Sequence, residues 1–239
     1  GAAPVRIVQI TDPHLGPLMS VARLRGICER AVAQAPDLIV ITGDFMTMES
    51  QTDPRTLHDA LEPLAAFECP VLACFGNHDH EAPTFVRQGL ADVGARLLVD
   101  EAALVETPAG PVQLLGFDFI WRDRDVRLAE VCRRHPRIPG ALRLALLHDP
   151  GAFRHVPEGQ VDLALSGHTH GGQIFPFGYA VRAAQPYLAG LVRHGPTWLY
   201  VHQGTGTWGP RMRVGTLGEI AVITLQGRVR SDGGSGGRT

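Results

Sequence analysis

Leu38-Ile39-Val40-Ile41-Thr42-Gly43-Asp44 runs four aliphatic residues into a small turn that ends on a carboxylate. The apolar stretch is too short for a buried helix and is rich in β-branched residues, so it reads as a strand covered on both faces. Upstream, Val5 to Ile10 is a second strand of the same kind. Between them Val21, Leu24, Ile27, Ala31 and Ala35 fall on one stripe of a helix over 21 to 35. Downstream, Asp53 and Pro54 open a helix over 54 to 67, and Val71 to Phe75 is a third strand. Strand, helix, strand, helix, strand predicts a parallel α/β layer.

The middle of the chain changes rhythm. Leu97 to Val99, Ala103 to Glu106 and Val112 to Gly116 read as successive strands, the last two joined through Pro108-Ala109-Gly110-Pro111. A helix over 124 to 134 follows, then strands at 142–147, 161–165, 198–201 and 220–225. The expected fold is α/β: a four-layer α/β/β/α sandwich of two mixed β-sheets flanked by helices. It forms one domain over residues 1–230, with 231–239 set aside as a flexible Gly/Ser tail.

Composition narrows the function. With 44% hydrophobic and 19% charged residues in 239, the chain has the make-up of a folded globular protein, not a disordered one. Lys and Arg together number 22, and every one is Arg. Without an amine there is no Walker-A nucleotide site, Schiff base or lysine general base. The arginines are scattered and the net charge is −2, so no basic field for nucleic acid is expected. No apolar run reaches 18 residues, so neither a membrane span nor a leader is visible. The abrupt start at Gly1 leaves open an upstream targeting segment, and with it a cytoplasmic or membrane-associated setting. Cys69 and Cys74 would stand about 16 Å apart along a strand, too far to bridge. Cys28 and Cys132 read as buried thiols.

What ends the strands is the informative pattern. They run into Thr11-Asp12-Pro13-His14, Thr42-Gly43-Asp44, Gly76-Asn77-His78-Asp79, His148-Asp149-Pro150 and Gly167-His168-Thr169-His170. α/β sheets form ligand crevices at these carboxyl ends. Asp, Asn and His offer oxygen and imidazole donors without a thiolate, a set suited to Mn, Fe, Zn, Ni or Co. Asp12, His14, Asp44, Asn77, His148, His168 and His170 exceed what one tetrahedral ion needs. Two divalent ions sharing Asp44 is the economical reading. Such a pair, ~3.5–4 Å apart, would clamp a phosphoryl group and acidify a bridging water to the attacking hydroxide. Singly these motifs are weak: Asp149 alone reads as a helix cap, and Asp12-Pro13 as a turn. Yet a given tetrapeptide arises by chance in a chain this long only about once in 10³, and two are present in order.

The ordered set Asp-x-His, Gly-Asp, Gly-Asn-His-Asp, His, Gly-His-Thr-His resembles the calcineurin-like metallophosphoesterase family over residues 5 to 225. Gly-His-Thr-His-Gly-Gly-Gln-Ile, with Gly204 to Pro210, is similar to its bacterial YkuE- and YaeI-like branch. The resemblance implies one ion on Asp12, His14, Asp44 and His170 and another on Asp44, Asn77, His148 and His168. His78 would face the phosphate, stabilising developing charge or protonating the leaving oxygen, with Asp79 to orient it. The implied reaction is hydrolysis of a phosphodiester, or of a monoester or pyrophosphate. The implied partner is a small phosphate ester, lipid-linked or nucleotide-sugar in some relatives, with peripheral membrane association compatible. Where the family often has a second acidic residue this chain has Thr47. A metal-dependent hydrolase of carboxylic esters or amides, and a non-catalytic metal-binding scaffold of the same fold, are the alternative readings.

Other signals carry less. Gly204 to Gly209 matches GxGxxG but Pro210 follows instead of a helix, and Gly233 to Gly237 matches GxSxG only as linker. His80, His155, His194 and His202 are expected on the surface or in packing. Phe45, Met46, Met48, Phe175 and Phe177 are read as core ahead of an apolar lip for an acyl chain.

Overall fold

Side chains along β2 (Leu38–Thr42) part to two sides, Leu38 and Val40 into one apolar cluster and Ile39 and Ile41 into another. The same period of two in β1 (Val5–Ile10) sends Ile7 to the first and Val8 and Ile10 to the second. The computed structural model describes residues 3–47, 53 and 55–227. Met48, Pro54 and the tail at 231–239 lie outside them.

Two sheets result. The first has β3 (Val71–Cys74) and β4 (Arg96–Leu97) running parallel after β1 and β2, with β11 (Ala221–Leu225) antiparallel on the far edge, in the order β11-β1-β2-β3-β4. The second starts from a hairpin of β5 (Glu101–Thr107) and β6 (Gly110–Gly116). It continues in parallel through β7 (Leu142–Leu146), β8 (Leu163–Ser166) and β10 (Thr197–Val201), and β9 (Gly190–His194) closes it antiparallel. Between the sheets Ile7, Val40 and Leu72 meet Leu114, Leu144 and Leu165. Outside the first, α1 (Val21–Val32), α2 (Arg55–Ala65) and α3 (Pro83–Asp92) bury Leu24, Leu57 and Leu90. Outside the second, α4 (Arg124–Arg134) buries Leu128 and Val131 against Ala145 and Leu199. Each such leucine contributes about 1.5–3 kcal/mol on leaving water. This is the four-layer α/β/β/α sandwich expected from the sequence.

Several boundaries differ. α1 stops at Val32, and Ala35 lies exposed with φ 49°, outside the stripe assigned to it. The strand expected at 97–99 is the two-residue β4. α3, α5 (Gly178–Ala184) and β9 were not anticipated: α3 offers only Val86 and Leu90 as large buried apolar residues, α5 buries none, and β9 is mostly exposed. Among the described residues all four cysteines are free, no helix follows Gly204 to Gly209, and no helix is long and apolar enough to cross a membrane.

One polar contact ties the sheets where the site begins. Gln9, fully buried, donates from Nε2 to Thr42 Oγ1 (2.9 Å) in the first sheet and to the Ser166 carbonyl (3.0 Å) in the second.

Candidate metal centre

β1 and β2 keep pairing after their regular hydrogen bonding ends. Asp12 N donates to Gly43 O, His14 N to Asp44 O and Leu15 N to Phe45 O, at 3.0, 3.1 and 2.8 Å. This zipped extension carries Asp12, His14 and Asp44 out over the strand ends. Opposite them, His148 leaves β7 and His168 and His170 leave β8. The seven expected ligands line one region. Five of them, Asp12, His14, Asp44, His168 and His170, have φ between 48° and 70°. A non-glycine residue there costs roughly 1–2 kcal/mol, a strain that concentrates at functional sites. Two glycines make the approach possible. A Cβ at Gly76 would fall on the Asp44 carboxylate and backbone N, and one at Gly167 on the Asp12 carboxylate and Thr11.

Two cages form. In one, His14 Nε2 stands 3.2 Å from His170 Nε2 and 3.9 Å from Asp12 Oδ1, and His170 Nε2 is 3.4 Å from Asp12 Oδ1. In the other, His148 Nε2 is 3.3 Å from Asp44 Oδ2 and 3.2 Å from His168 Nδ1. Asp12, His14 and His170 thus form one candidate metal group, and Asp44, His148 and His168 a second. Donor atoms 3–4 Å apart are the spacing of ligands around an ion with bonds near 2.1 Å. Asp44 Oδ2 also lies 3.6 Å from His14 Nε2, so this carboxylate faces both groups. Asn77 Oδ1 is buried on the wall of the same cavity with no protein partner, a cost that a cation would remove.

Charges suit cation binding. Burial pushes the His14 imidazolium down to about 4, with Asp44 pulling the other way. Burial likewise lowers His168 and His170, leaving their lone pairs free. For His148 burial is outweighed by the Asp44 carboxylate and its hydrogen bond, which drive it up to about 10. Its Nδ1–H donates to Thr42 O (2.7 Å), turning Nε2 toward the cage. Burial opposes ionisation of Asp12 and Asp44, yet the surrounding imidazoles hold both below the usual carboxylate range.

His78 and Asp79 occupy different places. His78 lines the cavity, and its Nδ1 pairs with Glu81 Oε1 at 2.9 Å. Asp79 does not orient it. Its buried carboxylate accepts from the backbone N–H of Asp44 (2.8 Å), Phe45 (2.8 Å) and Gly76 (2.7 Å), clamping the loop that bears Asp44. Glu81 stands three residues after His78 in a short helical turn, a spacing that marks the pair in the sequence. Arg213 had no sequence signal. It donates to the carbonyls of Gly204 (3.1 Å), Gly206 (3.1 Å) and His170 (3.2 Å), fastening the late loop to a cage residue. His80 and His194 are exposed, His155 is half-buried, and His202 is fully buried, accepting from Gly204 N at 2.9 Å. Phe45 and Met46 are core, whereas Phe175 and Phe177 are 63% and 64% exposed, so the core reading fails for that pair.

A cavity of about 610 Å³ opens over the cages. Another, of about 630 Å³, lies at the opposite strand ends beside Val5, Leu142 and Leu163, with Asp162 and Tyr200 as its titratable groups. Only the first adjoins a candidate metal group.

The sandwich thus presents two Asp/His groups able to hold metal ions where the strands of both sheets end. Comparison with known proteins gives the family. The calcineurin-like phosphoesterase profile matches residues 5–172. Phosphodiesterase YaeI of Escherichia coli is 31% identical over 94% of the chain and 83% of its own length. The uncharacterised metallophosphoesterase YkuE of Bacillus subtilis is 30% identical over 92% and 79%. The chain spans 60% of the length of three longer bacterial relatives. Haemophilus influenzae NAD nucleotidase shares the fold, with a TM-score of 0.59 at 12% identity over 85% of this chain and 51% of that one. The chain belongs to the calcineurin-like phosphoesterase family, and its domain is a metal-dependent phosphoric ester hydrolase.

Proposed function

We propose that the two cages hold a pair of divalent transition ions and that the domain hydrolyses phosphodiesters. Asp12, His14, Asp44 and His170 would hold one ion, and Asp44, Asn77, His148 and His168 the other. The observation that carries this reading is Asp44 Oδ2, 3.6 Å from His14 Nε2 in one cage and 3.3 Å from His148 Nε2 in the other. Such ions, held by these residues, would supply Lewis-acid stabilisation of phosphoryl charge and activation of water for hydrolysis.

The chain's own residues supply the remainder. Asp12 and Asp44 are held ionised and His14, His168 and His170 neutral, the states in which they donate electron pairs. His78, with Nδ1 donating to Glu81, would as an imidazolium carry an Nε2–H to donate to a phosphoryl oxygen or to protonate the leaving oxygen. One P–O bond forms to the water oxygen as another breaks to the alcohol; one water proton is released and the other replaces the proton given to the leaving oxygen. The donor set of nitrogen and oxygen suits Mn, Fe, Zn, Ni or Co. The name of YaeI supports a diester.

The test is hydrolysis of bis(p-nitrophenyl) phosphate by Mn-loaded protein, with a p-nitrophenyl carboxylic ester alongside. Asp44→Asn and His168→Ala are expected to fall to background on the diester. Undiminished diester rates in both variants, or faster turnover of the carboxylic ester, would reject the proposal.

A further inference from the structure

The cavity over the cages has a polar floor and an apolar wall. His14, Asp44 and His168 lie at the floor, and Ile174, Phe177, Val181, Trp208 and Pro210 make the side. Polar groups on that wall are already taken. Gln173 Nε2 donates to Trp208 O (2.8 Å) and Pro210 O (3.1 Å), and its Oε1 accepts from Trp208 N (2.9 Å). Thr169 Oγ1 donates to Leu188 O at 2.6 Å. Among the described lining residues there is no arginine, and the chain has no lysine. A nucleoside diphosphate or sugar pyrophosphate would bring a second phosphate and a ring of hydroxyls to the side made by Ile174, Phe177, Val181, Trp208 and Pro210, where the Gln173 amide is already spent. Burying such groups unpaired is costly.

Two loops extend the wall outward. Phe175 N donates to Val214 O (2.8 Å) and Val214 N to Gln173 O (2.9 Å), pinning residues 173–175 to 214. Beside this seam Phe175, Phe177 and Tyr179 on one loop, and Trp208, Met212 and Leu217 on the other, are each more than half exposed. A patch of this kind marks a contact surface, and through Phe177 and Trp208 it joins the cavity over the cages.

Resting on the phosphoesterase reading, we infer that this wall is a subsite for a long alkyl or acyl chain. The substrate class is then an amphiphilic phosphate ester, its phosphorus over the cages and its chain against Ile174, Phe177, Val181 and Trp208.

The probes are alkyl p-nitrophenyl phosphodiesters with ethyl, butyl and octyl chains, each kept below its micelle threshold and assayed with Mn-loaded protein beside bis(p-nitrophenyl) phosphate. From butyl to octyl, kcat/KM is expected to rise about two- to fourfold per methylene, carried by KM, as expected for burial of CH₂ groups. Phe177→Ser, an exposed position that should not affect folding, is expected to flatten that slope. Calorimetric affinities of ethyl and octyl phosphate give a second readout that needs no turnover. If bis(p-nitrophenyl) phosphate is hydrolysed but both rate and affinity ignore chain length, the subsite is refuted and the phosphoesterase reading stands. If no diester is hydrolysed, that reading falls, and the octyl-to-ethyl affinity ratio still decides the subsite: near one refutes it, above about tenfold supports it.

Discussion

Replacing Asp79 by asparagine perturbs three buried backbone N–H groups at once. In the wild-type chain Oδ2 accepts from Asp44 and Gly76 and Oδ1 from Phe45, at 2.7–2.8 Å. An amide has one acceptor oxygen. Turned toward Asp44 and Gly76, it keeps those two bonds in neutral form, about half as strong as the charge-assisted ones. Its NH₂ then meets the Phe45 N–H donor to donor, leaving a buried group unpaired at a cost of about 1–3 kcal/mol. One effect runs the other way. Burial and the neighbouring Asp44 charge push the Asp79 carboxyl up to about 7, against the pull of the Gly76 and Phe45 N–H groups, so neutralising it relieves some repulsion. The net expectation for Asp79→Asn is a loss of about 2 kcal/mol, sizeable against a usual stability of 5–15. Urea unfolding of metal-free protein measures it. Because the clamp positions Asp44, Mn affinity should fall in parallel. A midpoint and affinity like wild type would refute the clamp.

Three further outcomes follow from the same geometry. His148, driven up to about 10, holds a proton in the metal-free protein at pH 8 while His14, His168 and His170 are neutral; an incoming cation must displace that proton, so calorimetry in buffers of different ionisation enthalpy should show about one proton released and an affinity that rises with pH. Gly76→Ala places a methyl on the Asp44 carboxylate and should cost about 1–3 kcal/mol in urea unfolding, with a much weaker Mn affinity; unaltered affinity would contradict the close approach. His80 is raised above its ordinary 6.5 by its hydrogen bond to Asp118, burial opposing, so its contribution to stability is complete below about pH 6.5 and disappears as pH climbs through the raised value; Asp118→Asn should bring the NMR titration of His80 down and flatten that slope, and an unmoved titration would count against the pair.

The layers were legible because each strand announces both its faces. Leu38 to Ile41 is apolar at every position, and only a sheet covered on two sides buries such a run. The cage residues were legible for a related reason: carboxylates and imidazoles stand directly after strands, where a parallel sheet gathers its ends. What failed depended on partners remote in sequence. Asp79 looks like a neighbour for His78, but its oxygens face N–H groups of Asp44 and Phe45, 35 and 34 positions away. Arg213 reaches His170 across 43 positions with no pattern to mark it. Phe175 and Phe177 resemble core residues by type alone, and only their exposure in the folded chain shows otherwise. α5 and β9, with few or no buried side chains, lacked the periodicity from which elements are read.

Asp12, His14 and Asp44 follow strands of one sheet and His148, His168 and His170 strands of the other, so bound ions would act as a clasp across the sandwich, beside the Gln9 stitch. Chelation should therefore loosen the assembly unevenly, letting one mouth of the two slabs gape while their opposite edges stay shut. Substitutions far from any ligand, if they slide one slab by a fraction of an ångström, would register first as lost cation and only later as lost fold.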